Sequence, residues 1–559
     1  MGRIDSKVLF LTTSPRTPAK MIPEISLLNQ HFQGEKWNTG TQAAYMRILK
    51  EENFFQGDGE KDPAFSARDR INRAPQTLGF VVLKPHIKLT DAGLALTSQK
   101  RTDEIFLRQL LKFQIPSPYH RLSEKAAQFC VKPYLEIFRL IRHFGTLQFD
   151  ELKMFALQLT DYRDFWKIVR KIETFRRAKA KKKGSYKGFA TEYFEKELQK
   201  IYSDELSTGN IKTRESRLSS KKKFLQTKGN NMRDYADACF RYLRATGMIS
   251  VSHVGKSLSI TEGKTADVDF FLQNTDREPC FVETDQEYIN YLGNAALPAL
   301  LTDDRNRLLR KMREDFPTVQ FDETAETETL KNLYADLLDQ RRENLLEAQV
   351  RELKDYKLYD DIQETYQKIS EKAVLDAPLM LEWNTWRAMT MLDGGNVKAN
   401  LKFDDLGKPL STAQGNMADI VCDYGDFGLC VEVTLSSGHT QFVMEGEPVA
   451  RHLGQLKKET GKNTYCLLIA PHMNKSCVSF FYVLHKTYVI EYGGHATIIP
   501  LPLSVFRKML EASRKADYVP QPNHVRKFFE YCEKVAETSE NEEVWYANIE
   551  EKASNWLEQ

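Results

Sequence analysis

Two acids in apolar company, Asp419 and Glu432, stand thirteen positions apart. The first lies in Gly415-Asn416-Met417-Ala418-Asp419-Ile420-Val421 and the second in Leu429-Cys430-Val431-Glu432-Val433-Thr434. Strand alternation puts Val431 and Val433 on one face and Glu432 and Thr434 on the other. A hairpin of this length brings Asp419 and Glu432 side by side at one end of a sheet, where two carboxylates repel unless solvated or holding a cation. Hard oxygen ligands favour Mg2+, bound through one or two carboxylates plus a substrate phosphate. Such an ion generates hydroxide and stabilises charge at phosphorus. Two more acids fit the same site: Glu382, in Leu381-Glu382-Trp383-Asn384, and Glu445, in Met444-Glu445-Gly446-Glu447-Pro448-Val449-Ala450-Arg451-His452. Glu445 and His452 are seven apart and share a helix face. Asp419, Glu432 and Glu445 are therefore the candidate Mg2+ ligands, with Glu382 and His452 completing the catalytic set. A solvated hairpin explains an Asp and a Glu at this spacing by themselves; the order helix Glu, strand Asp, strand Glu, helix Glu is more specific.

The surrounding pattern supplies elements to hold them. A helix is expected at 379–391, apolar strands at 419–423, 429–434, 465–470 and 497–501, and helices at 441–458, 476–488 and 505–516. Strands alternating with helices predict a mixed sheet covered on both faces. Residues 301–372 show helical spacing with charge of both signs and a single proline, Pro317, which predicts a pair of helices or a long hairpin joining two functional halves. Nearer the N-terminus, two segments share one order. Phe65-Ser66-Ala67-Arg68-Asp69-Arg70-Ile71 leads to Gly79 and then Thr90, and Arg233-Asp234-Tyr235-Ala236-Asp237-Ala238 leads to Gly247 and then Thr261. Helix, glycine stop, small hairpin and a Thr able to cap the next element describe a winged-helix unit. Between them, Leu140 to Asp150 looks like the tight turn of a helix-turn-helix pair.

Charge separates the two halves. The chain has 559 residues with 80 Lys+Arg against 77 Asp+Glu, a net charge of +3. Residues 1–290 hold 49 basic and 35 acidic residues, a balance of +14, and the remainder balances at −11; residues 121–230 alone hold 26 basic and 13 acidic. A basic half joined to an acidic one points to a polyanion-binding region. The runs Lys181, Lys182, Lys183 and Lys221, Lys222, Lys223, with Arg214 and Arg217, are candidate phosphate contacts. Arg16, Arg68 and Arg70, with Ser66 beside them, are candidates for reading bases, since Arg is the usual bidentate partner of guanine. No apolar run is long enough to span a bilayer and the first residues do not form a signal peptide, so a cytoplasmic protein without membrane contact is expected. The eight cysteines include no CxxC pair, against a zinc ribbon or a disulfide framework. Gly263-Lys264-Thr265 lacks the earlier glycine of a P-loop, Asp62-Pro63-Ala64-Phe65 fails as a methyltransferase loop, and His472 and Asn474 lack the cluster of an HNH nuclease.

The Asp–x12–Glu–x–Thr spacing in an α-β-β-α-β frame resembles a PD-(D/E)XK nuclease core. Ala413-Gln414-Gly415-Asn416 through Asp419, Glu432-Val433-Thr434 and Gln441-Phe442 through His452 resemble the AlwI family of type IIS restriction endonucleases and the related nicking endonucleases. The likeness extends to Ser14-Pro15-Arg16-Thr17-Pro18 and to Phe65 through Arg70, hence nearly the whole chain. It implies a mainly α N-terminal region with winged-helix modules (1–115 and 116–292, the second with a basic insert), a helical linker (293–373) and a C-terminal α/β cleavage domain (374–559). The implied substrate is a short asymmetric site in double-stranded DNA, cut with Mg2+ a few base pairs to one side. The family's catalytic acids fall on Glu382, Asp419, Glu432 and Glu445. Protection by methylation is expected from a separate DNA methyltransferase, and double-strand cleavage from a transient homodimer or a second cleavage subunit. The alternatives are a strand-specific nicking enzyme and a non-catalytic winged-helix regulator. One departure matters: Thr434 stands where the core usually has Lys, leaving His439, Gln441, His452 or a second metal ion to supply its role.

Overall fold

The computed structural model describes residues 6–52, 54, 62–123, 129–182, 186–213, 220–252, 256–392, 395–412, 417–516 and 518–558. The chain divides into two units, Met1–Leu337 and Leu338–Gln559.

The N-terminal unit is mostly helical. Asp62 caps the helix Pro63–Ile71 by accepting from the Phe65 amide at 2.8 Å. The chain then turns at Gly79, whose φ of +78° suits glycine, into the antiparallel pair Val81–Val82 and Lys88–Leu89. Thr90 caps the next helix, Asp91–Thr97, through the Gly93 amide at 3.1 Å. The second segment takes the same course with a larger sheet. The helix Pro133–Phe144 leads to strand Thr146–Gln148 and helix Phe149–Met154. After an intervening group of helices come helix Lys221–Arg244 and strands Ile249–Val251 and Ser257–Ile260. The three strands form one antiparallel sheet with Ser257–Ile260 in the middle. Thr261 does not cap as Thr90 does. It is buried, its hydroxyl accepts from Ser250 Oγ at 3.2 Å, and the next helix, Thr265–Asn274, begins after Lys264 with no side-chain cap.

The segment expected to be a helix pair holds three helices, Arg305–Asp315, Thr327–Lys354 and Tyr359–Ser370. The first is tied into the N-terminal unit by the Lys311–Asp267 ion pair at 2.9 Å, and the last contributes Ile362, Tyr366 and Ile369 to the core of the C-terminal unit.

That core surrounds a five-stranded mixed sheet. Its central strand, Phe427–Val433, pairs in parallel with Asn463–Ala470, which pairs in parallel with Ile498–Pro502. On the other side it pairs antiparallel with Ile420–Asp423, which pairs with Asn396–Ala399. Six of the seven residues of the central strand are buried, as a strand covered on both faces requires. The crossover helices Gly438–Thr460 and Lys475–Lys486 pack together, as do Ala377–Leu392 and Leu503–Lys515. Every strand expected from sequence is present, and three more come between the first helix and Ile420–Asp423: the small antiparallel pair Lys402–Phe403 and Pro409–Ser411, and Asn396–Ala399 at the edge of the main sheet. Only Val397 of the edge strand's four residues is buried, so it leaves almost no apolar signal. The helices Pro522–Thr538 and Glu542–Ser554 close the unit, burying Trp545, whose indole donates to the Cys532 carbonyl at 3.2 Å.

Candidate active site

The register makes the carboxylate pair. Val431 lies opposite Ile420, so Glu432 and Asp419 are the next residues outward on neighbouring strands. Asp419 Oδ2 accepts from the Val433 amide at 2.9 Å, which locks the aspartate across the strand end. Glu432 is 5% exposed. Burial pushes its carboxyl well above the usual range, and Glu445 and then Glu382 push it further. Asp419 rises for the same reason, burial first and the Glu432 charge second. Glu445, two turns into helix Gly438–Thr460, is raised by burial against the opposing pull of the Thr434 hydroxyl and His452. The four sequence-selected acids therefore converge: Glu432 feels Glu445 and Glu382, and Asp419 feels Glu432 and Glu445.

His452 belongs to the same cluster. Its Nδ1 lies 2.8 Å from Glu432 Oε1, and its Nε2 is buried without a hydrogen-bond partner among the described residues. Burial, reinforced by Arg451, lowers the imidazole to about 4, so it is neutral at pH 7. With Glu432 ionised, Nδ1–H donates to it and Nε2 keeps its lone pair. The helix carrying His452 is held close by Gly454, where a Cβ would stand 2.6 Å from Tyr492 Cα.

The other candidates for the missing Lys divide. Gln441 is fully buried and spent on the backbone: Nε2 donates to the Ser436 carbonyl at 3.0 Å and to the His472 carbonyl at 2.9 Å, while Oε1 accepts from the Asn474 amide at 2.6 Å. It bolts together the loops that come after the two parallel strands, a role spacing alone does not disclose. His439 is exposed beside the Phe442 ring. Thr434 is buried, accepts from the Ser436 amide at 3.0 Å and faces Glu445.

Among the described residues, none of Asp419, Glu432 and Glu445 has a Lys or Arg salt bridge, and no three His, Cys, Asp or Glu close into a ready cage for a metal. Two adjacent carboxylates, raised and without a cation, still fit a hard ion that takes its remaining ligands from phosphate and water.

The model of the AlwI restriction endonuclease family matches residues 76–509. The chain belongs to that family. It is a restriction endonuclease, hence a DNA-binding nuclease, which sets aside the non-catalytic regulator. No curated protein matches the sequence. Among solved structures, the small subunit of the heterodimeric restriction endonuclease R.BspD6I is 25% identical, covering 35% of this chain and 95% of its own, with a TM-score of 0.28.

For an AlwI-family enzyme the DNA contacts matter as much as the acids, and here the structure sorts the candidates. Arg70 is paired with Glu24, which is 1% exposed, and so fastens Pro63–Ile71 to the helix Met21–Phe32. Arg16 donates to Asp234 at 2.8 Å, and Arg68 to Gln42 Oε1 at 2.8 Å. Ser66 is half-buried on the same helix as Arg68. Lys181, Lys182, Lys221, Lys222 and Lys223 are exposed, the last three in the first turn of Lys221–Arg244. Lys183, Arg214 and Arg217 lie outside the described residues. No helix among the described residues is long and apolar enough to cross a membrane.

Proposed function

We propose that the chain is a type IIS restriction endonuclease that reads a short asymmetric duplex site and hydrolyses phosphodiester bonds a few base pairs outside it with Mg2+. The observation that carries this is the cluster of Asp419, Glu432 and Glu445, raised by burial and mutual repulsion with no Lys or Arg paired to them among the described residues. Asp419 and Glu432 would hold the ion with Glu445 beside them, and the ion supplies hydroxide at neutral pH and charge to offset the phosphate. His452 orients the Glu432 carboxylate through Nδ1, and the Val433 amide fixes Asp419. Glu382 keeps Glu432 proton-hungry when no cation is present. Together these make a PD-(D/E)XK-type centre in which Thr434 stands in the Lys position.

Support for reading DNA comes from the N-terminal unit. The order helix, strand, helix, then helix and hairpin, closing one three-stranded sheet, fits a winged-helix module interrupted by a helical insert. The exposed lysines of that insert and of Lys221–Arg244 suit phosphate tracking. The domain plan is then recognition over 1–115 and 116–292, a helical linker over 293–373, and cleavage over 374–559. One such acid cluster cuts one strand, so two-strand cleavage takes a second copy or a second cleavage subunit, and a chain acting singly nicks. A separate methyltransferase would protect the host site.

Run-off sequencing of both strands of a plasmid treated with protein and Mg2+ tests all of this together. Breaks at a fixed offset from one asymmetric sequence are expected, and their number per site distinguishes cutting from nicking. Intact plasmid with folded protein across Mg2+, Mn2+ and Ca2+ would sink the proposal.

A further inference from the structure

The arginines that sequence offers as base readers are engaged elsewhere: Arg70 with Glu24, Arg16 with Asp234, Arg68 with Gln42. The helix Lys221–Arg244 presents a different set. Its second half is buried through Ala236, Cys239, Phe240 and Leu243, while its first half buries Phe224 and Met232 and leaves another face outward. On that face Lys222, Gln226, Asn230 and Arg233 succeed one another at intervals of four, four and three, a single ridge. All four are exposed, and none makes a side-chain hydrogen bond or an ion pair with another described residue.

The chemistry of this ridge is selective. Gln and Asn amides pair bidentately with adenine, and the Arg guanidinium with guanine, on edges displayed in the major groove. Lys222, with Lys221 and Lys223, sits at the end of the helix where Ser220 accepts from the Lys223 amide, and three ammonium groups there suit a phosphate backbone. From Lys222 to Arg233 the helix rises about 16 Å at ~1.5 Å per residue, a length matching about five base pairs at ~3.4 Å each. Two acids further along would repel DNA, and both are neutralised: Asp234 by Arg16 at 2.8 Å, Asp237 by Arg241 at 3.2 Å. Arg16 thereby serves the helix rather than the bases. The helix runs directly into the hairpin Ile249–Val251 and Ser257–Ile260, so the ridge rides on a fixed element.

We propose that Gln226, Asn230 and Arg233 are specificity-determining residues, reading base edges in the major groove while Lys221, Lys222 and Lys223 hold phosphate. This rests on the DNA-reading function proposed above and assigns it to one helix face.

The test uses the full chain in Ca2+ with a library of duplexes carrying a randomised segment, sequencing the bound fraction. Wild type is expected to enrich one motif. Gln226→Ala, Asn230→Ala and Arg233→Lys should each relax a different position of that motif by about 5- to 150-fold in discrimination, leaving non-specific binding to a 30-bp duplex and its salt dependence unchanged. Replacing Lys221, Lys222 and Lys223 by Ala should instead weaken every duplex alike and flatten the salt slope. All six side chains are exposed, so thermal midpoints should stay at the wild-type value. An unchanged motif in all three ridge variants overturns the assignment and leaves the DNA-reading function standing. Wild type that binds no duplex overturns both.

Discussion

Buried acids occur in both units, in opposite company. In the N-terminal unit such acids have a cation: Glu24 with Arg70, Glu136 with Arg277 through two bonds of 2.7 Å, Glu151 with Arg176 at 2.7 and 2.8 Å, Glu197 with Lys171 at 2.8 Å. Glu104 and Asp303 share Arg108 and Lys331. Burial works to raise Glu104, but Lys331 and Arg108 outweigh it and hold the carboxyl low; Asp303 and Glu197 are likewise held low. In the C-terminal unit buried Glu432 and half-buried Asp419 and Glu445 lie together with no such partner among the described residues, and all are raised. Burial does not single out the site. The missing counter-charge does, because a fold selected for stability alone has no reason to crowd unpaired carboxylates.

That contrast can be attacked at either end. The largest effect should come from Asp419→Ala: plasmid cleavage falls by more than about 1,000-fold, while duplex binding by anisotropy is unchanged. At the other end, Arg70→Ala strands Glu24 in the core and should cost about 3–5 kcal/mol in urea unfolding; adding Glu24→Gln should recover part of it. Next, Gln441→Leu strips hydrogen bonds from the Ser436 and His472 carbonyls and the Asn474 amide. A loss of about 1–3 kcal/mol in stability is expected, with a fall in kcat exceeding any change in KM.

The pH response carries the contrast further, with opposite signs for the site acids and for Glu104, Asp303 and Glu197; Glu24 alone among the shifted N-terminal pairs stays raised, its burial outweighing Arg70. Carboxyls raised in the folded state bind protons more tightly there, so their contribution to stability falls as pH rises from the ordinary carboxylate range through their folded values. Metal-free protein should thus show a lower thermal midpoint at pH 7 than the paired acids alone would give. Asp419→Asn should raise that midpoint while abolishing cleavage, and Mg2+ should raise it only in wild type. For Glu104, Asp303 and Glu197 the sign reverses: their support is complete above the unfolded carboxylate range and is lost as pH falls through their lowered values. The smallest effect belongs to the surface. Lys182→Ala should leave stability within about 0.5 kcal/mol and reduce the salt slope of DNA binding by no more than about one.

Much of the C-terminal unit is legible in sequence because its strands are continuous apolar runs and its acids interrupt them at fixed spacing. Glu432 among Val431 and Val433 is conspicuous for that reason. The features that sequence hides have no periodic signature. Asn396–Ala399 buries a single side chain. Gln441 braces two loops through backbone carbonyls, which carry no residue code. In the N-terminal unit the lysine runs are visible, but which arginines are already committed is not. Glu24 lies forty-six positions from Arg70, and Asp234 more than two hundred from Arg16. Sequence proximity groups Arg68 with Arg70; the fold gives them different partners.

The three-stranded sheet of the N-terminal unit imposes an order of events on synthesis. Strand Thr146–Gln148 pairs with Ser257–Ile260, Thr146 facing Ser259 across 113 positions of chain. At ~5–20 residues per second, the first strand leaves the ribosome on the order of ten seconds before its partner. Through that interval Leu147 and the apolar face of Pro133–Phe144 lack the strand that will cover them, while the helices between have time to form locally. A nascent chain halted before residue 260 should therefore remain protease-sensitive around Leu147, and release past that point should confer protection abruptly.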